Sequence, residues 1–337
     1  MGMKAHRKAL WSFAVALLLA AGMLAPSAEA QVPAHWPRSV MVGTASIGGT
    51  FFIYGGGWAN LIQEKLGVAA SIEVTGGPNH NMVLIQAKEL DLGMVTMGPA
   101  WEAWNGEGDW TGGVQHRDVR ALFPMYTTPF HFWALKRTGI ASTDDIHGKI
   151  VGVGPAGGTP GTYFPRFFDL LGINVTVRHA GISDLASQQM DGLIDVIAFA
   201  AGLPVAAAME VEAQHPVNFF GFTEEEIAKI VEAYPYFSRY VIPAGTYETQ
   251  TEDMTTVAIW NMAVGHKDLP EDFVYAIVKT VHENHQYMLE THAAAKETLP
   301  ENVVNNEFLW MHPGAIRYYR EIGIEIPEHL YPPEYRP

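Results

Sequence analysis

The chain has 337 residues, no cysteine and a formal net charge of −15. So acidic a chain argues against nucleic acid and anionic lipid surfaces as partners, and without cysteine no disulfide can stabilise the fold. The length predicts two domains, each large enough to bury a hydrophobic core.

The N-terminal 30 residues have the pattern of a secretory signal peptide. A basic start at 4–8 precedes an apolar run over 9–25, and the small-x-small stretch 28–30 is typical of a cleavage site. The apolar run is short for a membrane span of about 20 residues, so cleavage before Gln31 is favoured over a membrane anchor. The cleavage site carries no cysteine for a lipid anchor. We expect a periplasmic protein that folds without disulfides.

Strand-like and helix-like segments alternate from residue 38 onward, and glycine-rich loops join them. The first series predicts strands over 38–43, 71–75 and 91–96, with helices over 52–66, 79–88 and 99–104. The second series predicts strands over 149–154, 174–178, 194–199 and 217–220, with helices over 161–171, 183–191, 204–212 and 223–233. The last helix begins with a capping box of Thr223 and Glu226. This rhythm predicts two α/β units, each a mixed sheet flanked by helices.

Two apolar segments are candidates for crossings between the units, 117–135 and the pair 240–243 and 256–260. Residues 272–291 are predicted to form one long amphipathic helix that returns to the first unit, and 326–337 an extended surface strap. The predicted division is a signal peptide (1–30), lobe 1 (31–128), lobe 2 (129–242), and a return to lobe 1 with the C-terminal strap (243–337).

Ligands of open α/β sheets bind beyond the carboxyl ends of the strands. Glycines there allow close approach of backbone N–H groups, and the following helix adds free donors and the positive end of its dipole. The first such loop, Gly43-Thr-Ala-Ser-Ile-Gly-Gly-Thr50, suits a carboxylate. Its candidate ligand-binding residues are Thr44, Ser46, Gly48, Gly49 and Thr50. Alternatively, its hydroxyls only cap the helix.

A second loop, over 75–81, offers Gly76, Gly77, Asn79 and Asn81, although Asn79 could equally be an N-cap. The third loop, over 152–162, contains a GxGxxG pattern between a strand and a helix. The next strand ends at Arg178 without the acidic residue that would hold a ribose, so a small anion is favoured over a dinucleotide. The candidates of this loop are Gly157, Gly158, Thr159, Gly161 and Thr162.

Three aromatic residues complete the candidate ligand-binding set, namely Tyr54, Trp101 and Phe199. Trp101 is the preferred candidate for a pocket wall. Arg166 and Arg178 could each be an anion partner or a surface charge.

The sequence lacks the motifs of a nucleophilic enzyme, since it has no Gly-x-Ser-x-Gly elbow and no cysteine. His282, His285 and His292 have a spacing that could hold a metal, but no carboxylate ligand accompanies them, so we expect neither a metal nor a cofactor. An enzyme on the same fold is the less favoured alternative.

Seven motifs in sequence order resemble one known family. They are Gly43-Thr-Ala-Ser-Ile-Gly-Gly-Thr50, Glu73-Val-Thr-Gly-Gly77, Trp104-Asn-Gly106, Val153-Gly-Pro155 with Gly157-Gly-Thr159, Ala201-Gly-Leu-Pro204, Ile242-Pro-Ala-Gly-Thr-Tyr247 and His312-Pro-Gly-Ala-Ile-Arg-Tyr-Tyr319. The chain thus resembles the TAXI family, the extracytoplasmic solute receptors of tripartite ATP-independent periplasmic (TRAP) transporters.

The resemblance implies a two-lobed periplasmic binding protein fold of type II, with two crossover segments. It also implies a small organic anion as ligand (carboxylate, dicarboxylate or amino acid) and a TRAP permease, whose membrane subunits can be fused, as partner. We expect a monomeric receptor; a periplasmic sensing subunit for a membrane kinase or chemoreceptor would have the same sequence features.

Two departures from the family pattern bear on the ligand. Thr96-Met-Gly98 replaces a frequent Gln-Ser-Asp, which removes an acidic group that could hold an ammonium, and Gly157-Gly-Thr-Pro160 replaces Gly-Ser-Gly-Thr. We therefore hypothesise a ligand without an amino group.

Overall fold

In a computed structural model of the chain, residues 32–336 are described. The predicted signal peptide lies outside these residues. The strands are β1 Ser39–Gly43, β2 Ala69–Glu73, β3 Leu92–Thr96, β4 Val119–Leu135, β5 Ile150–Gly152, β6 Thr176–Arg178, β7 Val196–Ala200, β8 Val217–Phe220, β9 Ser238–Ile242 and β10 Met254–His266. The helices are α1 Thr50–Leu66, α2 Pro78–Gln86, α3 Met97–Asn105, α4 Thr159–Leu171, α5 Ile182–Met190, α6 Ala206–Gln214, α7 Glu224–Ala233, α8 Glu271–Glu283, α9 His285–Thr291 and α10 Pro313–Glu321.

The strands follow the order β2-β1-β3-β10-β4-β7-β5-β6, with β8 beside β4 and β9 beside β10. The strands β1, β2 and β3 are parallel, as are β5, β6 and β7. We call the half that contains β1 to β3 lobe 1 and the half that contains β5 to β8 lobe 2. The mixed sheets and their flanking helices confirm the predicted fold class.

The long strand β4 joins the two lobes. It pairs with β10 from Val119 to Pro129 and with β7 from Phe130 to Ala134. Strand β10 likewise pairs with β9 at its beginning and with β3 at its end. The central strands β3 and β7 are buried along their whole length, as expected for apolar strands covered on both faces. The exact domain division stays a prediction.

Each lobe has an aromatic core that fixes its first helix. In lobe 1, Trp58 of α1 packs edge-to-face on Phe123, with ring centroids 5.1 Å apart. In lobe 2, Phe130 contacts Phe164 and Phe167 of α4 at 5.2 and 5.5 Å. Both helices therefore have fixed positions relative to their sheets, and their N-termini are fixed as well.

Two predicted helices can be assessed in detail. The capping box is confirmed, because the Thr223 hydroxyl accepts the Glu226 amide and the Glu226 carboxylate accepts the Thr223 amide. The single helix over 272–291 is wrong. Asn284 leaves the helical conformation (φ −114°, ψ 36°) and donates its side-chain amide to Thr280 O at 2.8 Å, which separates α8 from α9. Between residues 32 and 336, no helix combines the length and apolarity that crossing a bilayer needs.

The three spaced histidines bind different groups. His282 Nε2 lies 3.0 Å from the Tyr319 hydroxyl, and His285 Nε2 lies 2.7 Å from Ala295 O. His292 Nε2 lies 3.2 Å from Pro204 O. Within the described part of the chain, no group of three His, Asp or Glu side chains converges on a metal-sized site.

The C-terminal segment differs from the predicted extended strap. A short 3-10 turn at Glu328–Leu330 buries Leu330, and the Glu334 carboxylate binds the buried Arg120. Arg120 Nε and Nη2 donate to the two Glu334 oxygens at 2.6 and 2.9 Å. The segment is thus anchored to the start of β4 by a bidentate ion pair.

Replacement of Glu334 by Gln is expected to lower the free energy of unfolding by about 2 kcal/mol, because the Arg120 guanidinium remains buried without its carboxylate. Glu328→Gln removes an exposed carboxylate from the same segment and is expected to change it by less than about 0.5 kcal/mol. Urea unfolding measures both. Equal stabilities for the two variants would contradict this role of Glu334.

Stability is also expected to depend on buried histidines. Burial lowers the pKa of His131 to about 3 and that of His282 and His312 to about 4. An unfolded histidine titrates near 6.5, so between pH 7 and 5 only the unfolded chain takes up these protons. The free energy of unfolding should fall by up to about 2 kcal/mol per histidine over this range, as urea unfolding at both pH values measures. The same free energy of unfolding at pH 7 and pH 5 would contradict the burial of these histidines in their uncharged form.

Candidate functional site

A cavity of about 40 Å³ lies where the loops after β1, β2, β5 and β7 meet the end of β3. Its lining consists of uncharged residues from both lobes and from β4. They are Ala45, Ser46, Gly49, Thr50, Phe51, Gly76, Pro78, Thr96, Thr128, Pro155, Gly158, Thr159, Pro160, Phe199, Ala200 and Ala201. At about 10–15 Å³ per buried water, the space suits a group of a few heavy atoms.

Two helices from opposite lobes begin at this cavity. Helix α1 has Gly49 as its N-cap and helix α4 has Gly158, both with extended backbone. Glycine brings no side-chain oxygen to the first turn, in contrast to Ser, Thr, Asp or Asn. Both helix N-termini therefore present amides and a positive dipole end that the helices do not neutralise themselves.

Three backbone amides at these helix N-termini have no carbonyl partner within their own helix. The Phe52 amide donates to Gly49 O, so the Thr50 and Phe51 amides precede the first bonded turn of α1. The Thr162 amide donates to Gly158 O in α4, which leaves the Thr159 amide in the corresponding position, since Pro160 has no N–H. The residues concerned line the cavity, so a ligand with acceptor oxygens can satisfy donors from both lobes at once.

Two hydroxyls of the lining accept a hydrogen bond and keep their own proton. The Ser46 hydroxyl accepts the Ile182 amide at 3.4 Å, and the Thr128 hydroxyl accepts Asn261 Nδ2 at 2.7 Å. Since a hydroxyl carries one donor and two acceptor sites, both retain an O–H for a ligand. The polar part of the cavity is thus rich in donors.

Two threonine contacts join the lobes across the cavity. The Thr50 hydroxyl donates to Gly202 O at 2.6 Å, and the Thr96 and Thr159 hydroxyls lie 2.7 Å apart. Both contacts are buried, which makes each sensitive to separation of the lobes. The structure is therefore a closed arrangement in which lining residues also bind one another.

Glycines allow the loops to approach this closely. A Cβ on Gly77 would lie 2.8 Å from Gly158 Cα, and Gly77 has φ +109°, a conformation that favours glycine. A Cβ on Gly48 (φ +85°) would lie 2.5 Å from the Ser183 hydroxyl of lobe 2. These predicted site residues therefore contact the opposite lobe.

The predicted ligand-binding residues divide into three groups. Those that line the cavity are Ser46, Gly49, Thr50, Gly76, Gly158, Thr159 and Phe199. Those at close contacts beside it are Gly48, Gly77, Asn79, Gly157, Gly161 and Thr162. The remainder, Thr44, Tyr54, Asn81 and Trp101, lie outside the cavity.

Three residues of the last group have structural partners. Thr44 donates its hydroxyl to Glu73 O at 2.7 Å, and the buried Tyr54 hydroxyl lies 3.0 Å from that of Thr298. Asn81 Nδ2 donates to Thr44 O and to Met94 O, at 2.9 and 3.0 Å. Thr44 and Asn81 thus link β1, β2 and β3, whereas Tyr54 links α1 to Thr298. The polar groups of all three side chains already have partners within lobe 1.

Trp101, the preferred candidate for an aromatic wall of the pocket, lies outside the cavity. Trp101 is 39 % exposed and packs edge-to-face on Phe308, with ring centroids 5.2 Å apart. It lies on the second turn of α3, whereas the cavity touches only Thr96 at the start of that helix. Phe51 and Phe199 provide the aromatic surface instead.

Asn79 is not a helix cap, because the N-cap of α2 is Gly77. Its Nδ2 donates to the Thr162 hydroxyl at 3.2 Å, and its amide donates to Gly157 O at 3.2 Å, both in lobe 2. Asn79 is thus a contact between the lobes.

The two uncertain arginines have protein partners. Arg166 pairs with Glu102 of lobe 1. Arg178 donates to Gln188 Oε1 and to Leu193 O, both at 3.2 Å, within lobe 2. The cavity lining includes neither of them.

Sequence reasoning missed Thr96 and Thr128 as lining residues. Both are threonines within buried strands, and their burial alone suggests packing. The polar pair Thr127-Thr128 before Pro129 interrupts a mainly apolar segment. This interruption is the sequence feature that could have pointed to Thr128 as a lining residue.

Comparison with known proteins supports the fold. A family model described as the NMT1-like family matches residues 42–323. The periplasmic binding protein BugD superposes with a TM-score of 0.55 at 13 % identity, covering 85 % of this chain and 98 % of that chain. A Streptococcus pneumoniae ABC uptake transporter substrate binding protein with bound histidine superposes with a TM-score of 0.50 at 13 % identity, covering 78 % and 94 %. The type II periplasmic binding protein fold is confirmed.

Substitution of Gly77 by Ala is expected to keep the lobes apart, because the new methyl group would overlap Gly158. Gly172→Ala is the control for backbone strain, since its φ of +70° imposes left-handed strain of about 1 kcal/mol on an alanine in open space. Small-angle X-ray scattering should give a larger radius of gyration for Gly77→Ala alone. The same radius for both variants would contradict the assigned contact.

Proposed function

We propose that this chain, which belongs to the NMT1-like family, is an extracytoplasmic receptor that binds a small carboxylate between its two lobes. The observation that carries this proposal is the convergence of two glycine-capped helix N-termini on one uncharged cavity. A carboxylate offers two oxygens with four lone-pair sites, so it can accept hydrogen bonds from both lobes.

The donor surplus favours an anion without an amino group. An ammonium is a donor-only group and would need a carboxylate or several free carbonyls. The lining instead presents the Ser46 and Thr128 hydroxyl protons and the first-turn amides of α1 and α4. A ligand that is all acceptor at its charged end therefore matches this cavity better than an amino acid does.

The lining also supports binding without turnover. Among the described residues around the cavity, the side chains are apolar or carry hydroxyls. General acid–base catalysis uses groups such as His, Asp, Glu or Lys within reach of the substrate. Hydroxyls and backbone amides bind an anion and release it unchanged.

Closure would couple binding to delivery. A ligand that accepts from both helix termini stabilises the closed arrangement, so it shifts the population toward that state. We propose that the closed receptor delivers its ligand in the periplasm to the membrane subunits of a TRAP transporter, as the TAXI resemblance implies. The seven ordered motifs support this finer assignment.

Native mass spectrometry of the protein as purified is expected to reveal a co-purifying carboxylate. Calorimetry then compares pyruvate, lactate, succinate and 2-oxoglutarate with alanine and glutamate, and the acids without an amino group should bind at least about tenfold more tightly. Tight binding of an amino acid alone would contradict the ligand assignment.

A bulky residue at position 159 should abolish binding of that carboxylate. Thr159→Phe fills the cavity from the start of α4, whereas Thr251→Phe, the control, places the same ring at an exposed position. We expect at least about a hundredfold loss of affinity only for Thr159→Phe, by calorimetry, with melting temperatures that stay near that of the parent protein. Unchanged affinity would exclude this cavity as the site.

A further inference from the structure

Glu102 is a buried carboxylate on α3 of lobe 1 whose main partners belong to lobe 2. It is 5 % exposed and forms an ion pair with Arg166 of α4. The Tyr163 hydroxyl, one turn earlier on α4, donates to Glu102 Oε1 at 3.1 Å. Within lobe 1, Trp110 Nε1 donates to Glu102 Oε2 at 2.7 Å.

We propose that Glu102, Arg166 and Tyr163 form an interlobe latch that stabilises the closed receptor and slows ligand release without touching the ligand. None of the three is among the lining residues of the cavity. The inference rests on the proposed function, in which closure retains the ligand. Glu102 and Arg166 thus act on the ligand only through the position of the lobes.

The latch is strong because opening removes two of the three partners of a buried carboxylate. Charge-assisted hydrogen bonds contribute more than neutral ones, and loss of a partner leaves a buried charge unpaired. Burial, with Tyr236 and Glu102 as further causes, raises the pKa of Tyr163 well above its usual value. Tyr163 therefore remains protonated and acts as a donor to Glu102.

The packing of α3 on α4 brings these groups together. A Cβ on Gly98 would lie 2.3 Å from the Tyr163 hydroxyl and 2.9 Å from the Tyr236 ring. Only glycine permits this approach at the first turn of α3. Contact at the latch therefore requires the same close lobe packing as contact at the cavity.

The latch is also accessible enough to open. Arg166 is 34 % exposed and lines a surface groove of about 370 Å³ together with Trp101, Tyr234 and Tyr236. Water in this groove can hydrate the guanidinium and the carboxylate when they separate, which lowers the penalty for separation. A fully enclosed pair would lock the lobes, whereas this one can release them.

Disulfide trapping measures the closed population directly, because the chain has no cysteine of its own. Thr96→Cys and Thr159→Cys replace hydroxyls that lie 2.7 Å apart across the lobes. At a fixed oxidised glutathione concentration, the rate of disulfide formation reports the closed fraction, even when that fraction is small. No ligand is added, so the result is independent of ligand identity.

In this cysteine background, Glu102→Gln and Arg166→Gln should each slow disulfide formation at least about tenfold, and the double variant should be no slower than the slower single variant. Glu107→Gln is the control, because it removes an exposed carboxylate from the same groove. It should change the rate by less than about twofold.

Thermal melts establish that each variant is folded; Arg166→Gln, at a partly exposed position, keeps the test valid if Glu102→Gln does not fold. Rates equal to that of Glu107→Gln in a folded Arg166→Gln variant would overturn the latch. Slower trapping without carboxylate binding in the parent protein would retain the latch and refute the proposed function.

Discussion

The amides of Thr50 and Phe51 in α1 and of Thr159 in α4 have no carbonyl partner within their own helices, and the glycine N-caps supply no side-chain oxygen. Because these amides belong to opposite lobes, whatever accepts them also links the lobes. One anion can do both. In the proposed function, ligand binding and closure would therefore be two consequences of the same hydrogen bonds, and the rest of the cleft would keep that anion in place.

The charge of the protein and the charge of its site are separate properties. The chain carries a formal charge of −15, while the cavity lining is uncharged. In the proposed function, attraction for an anion would come from oriented backbone dipoles and hydroxyl protons at short range, where the field of the whole protein matters least. The main interlobe ion pair, Glu102 with Arg166, lies beside the cavity and so does not compete with the ligand for those donors.

The sequence predicted the loops well, because a strand, a glycine-rich stretch and a helix in succession specify where backbone amides are free. It could not separate the hydroxyls that line the cavity from those that bind neighbouring strands. Thr44 and Asn81 bind the neighbouring strands, which depends on the register between β1, β2 and β3. Thr128 reaches the cavity because β4 passes between the lobes. The break at Asn284 depends on one side-chain hydrogen bond, which helical periodicity does not reveal.

A crystal structure of the receptor with its tightest-binding carboxylate tests the central claim most directly. One carboxylate oxygen should lie within about 3 Å of the Thr50 amide nitrogen of lobe 1, and the other within about 3 Å of the Thr159 amide nitrogen of lobe 2. A carboxylate bound to an arginine or lysine side chain, or to one lobe alone, would contradict the account.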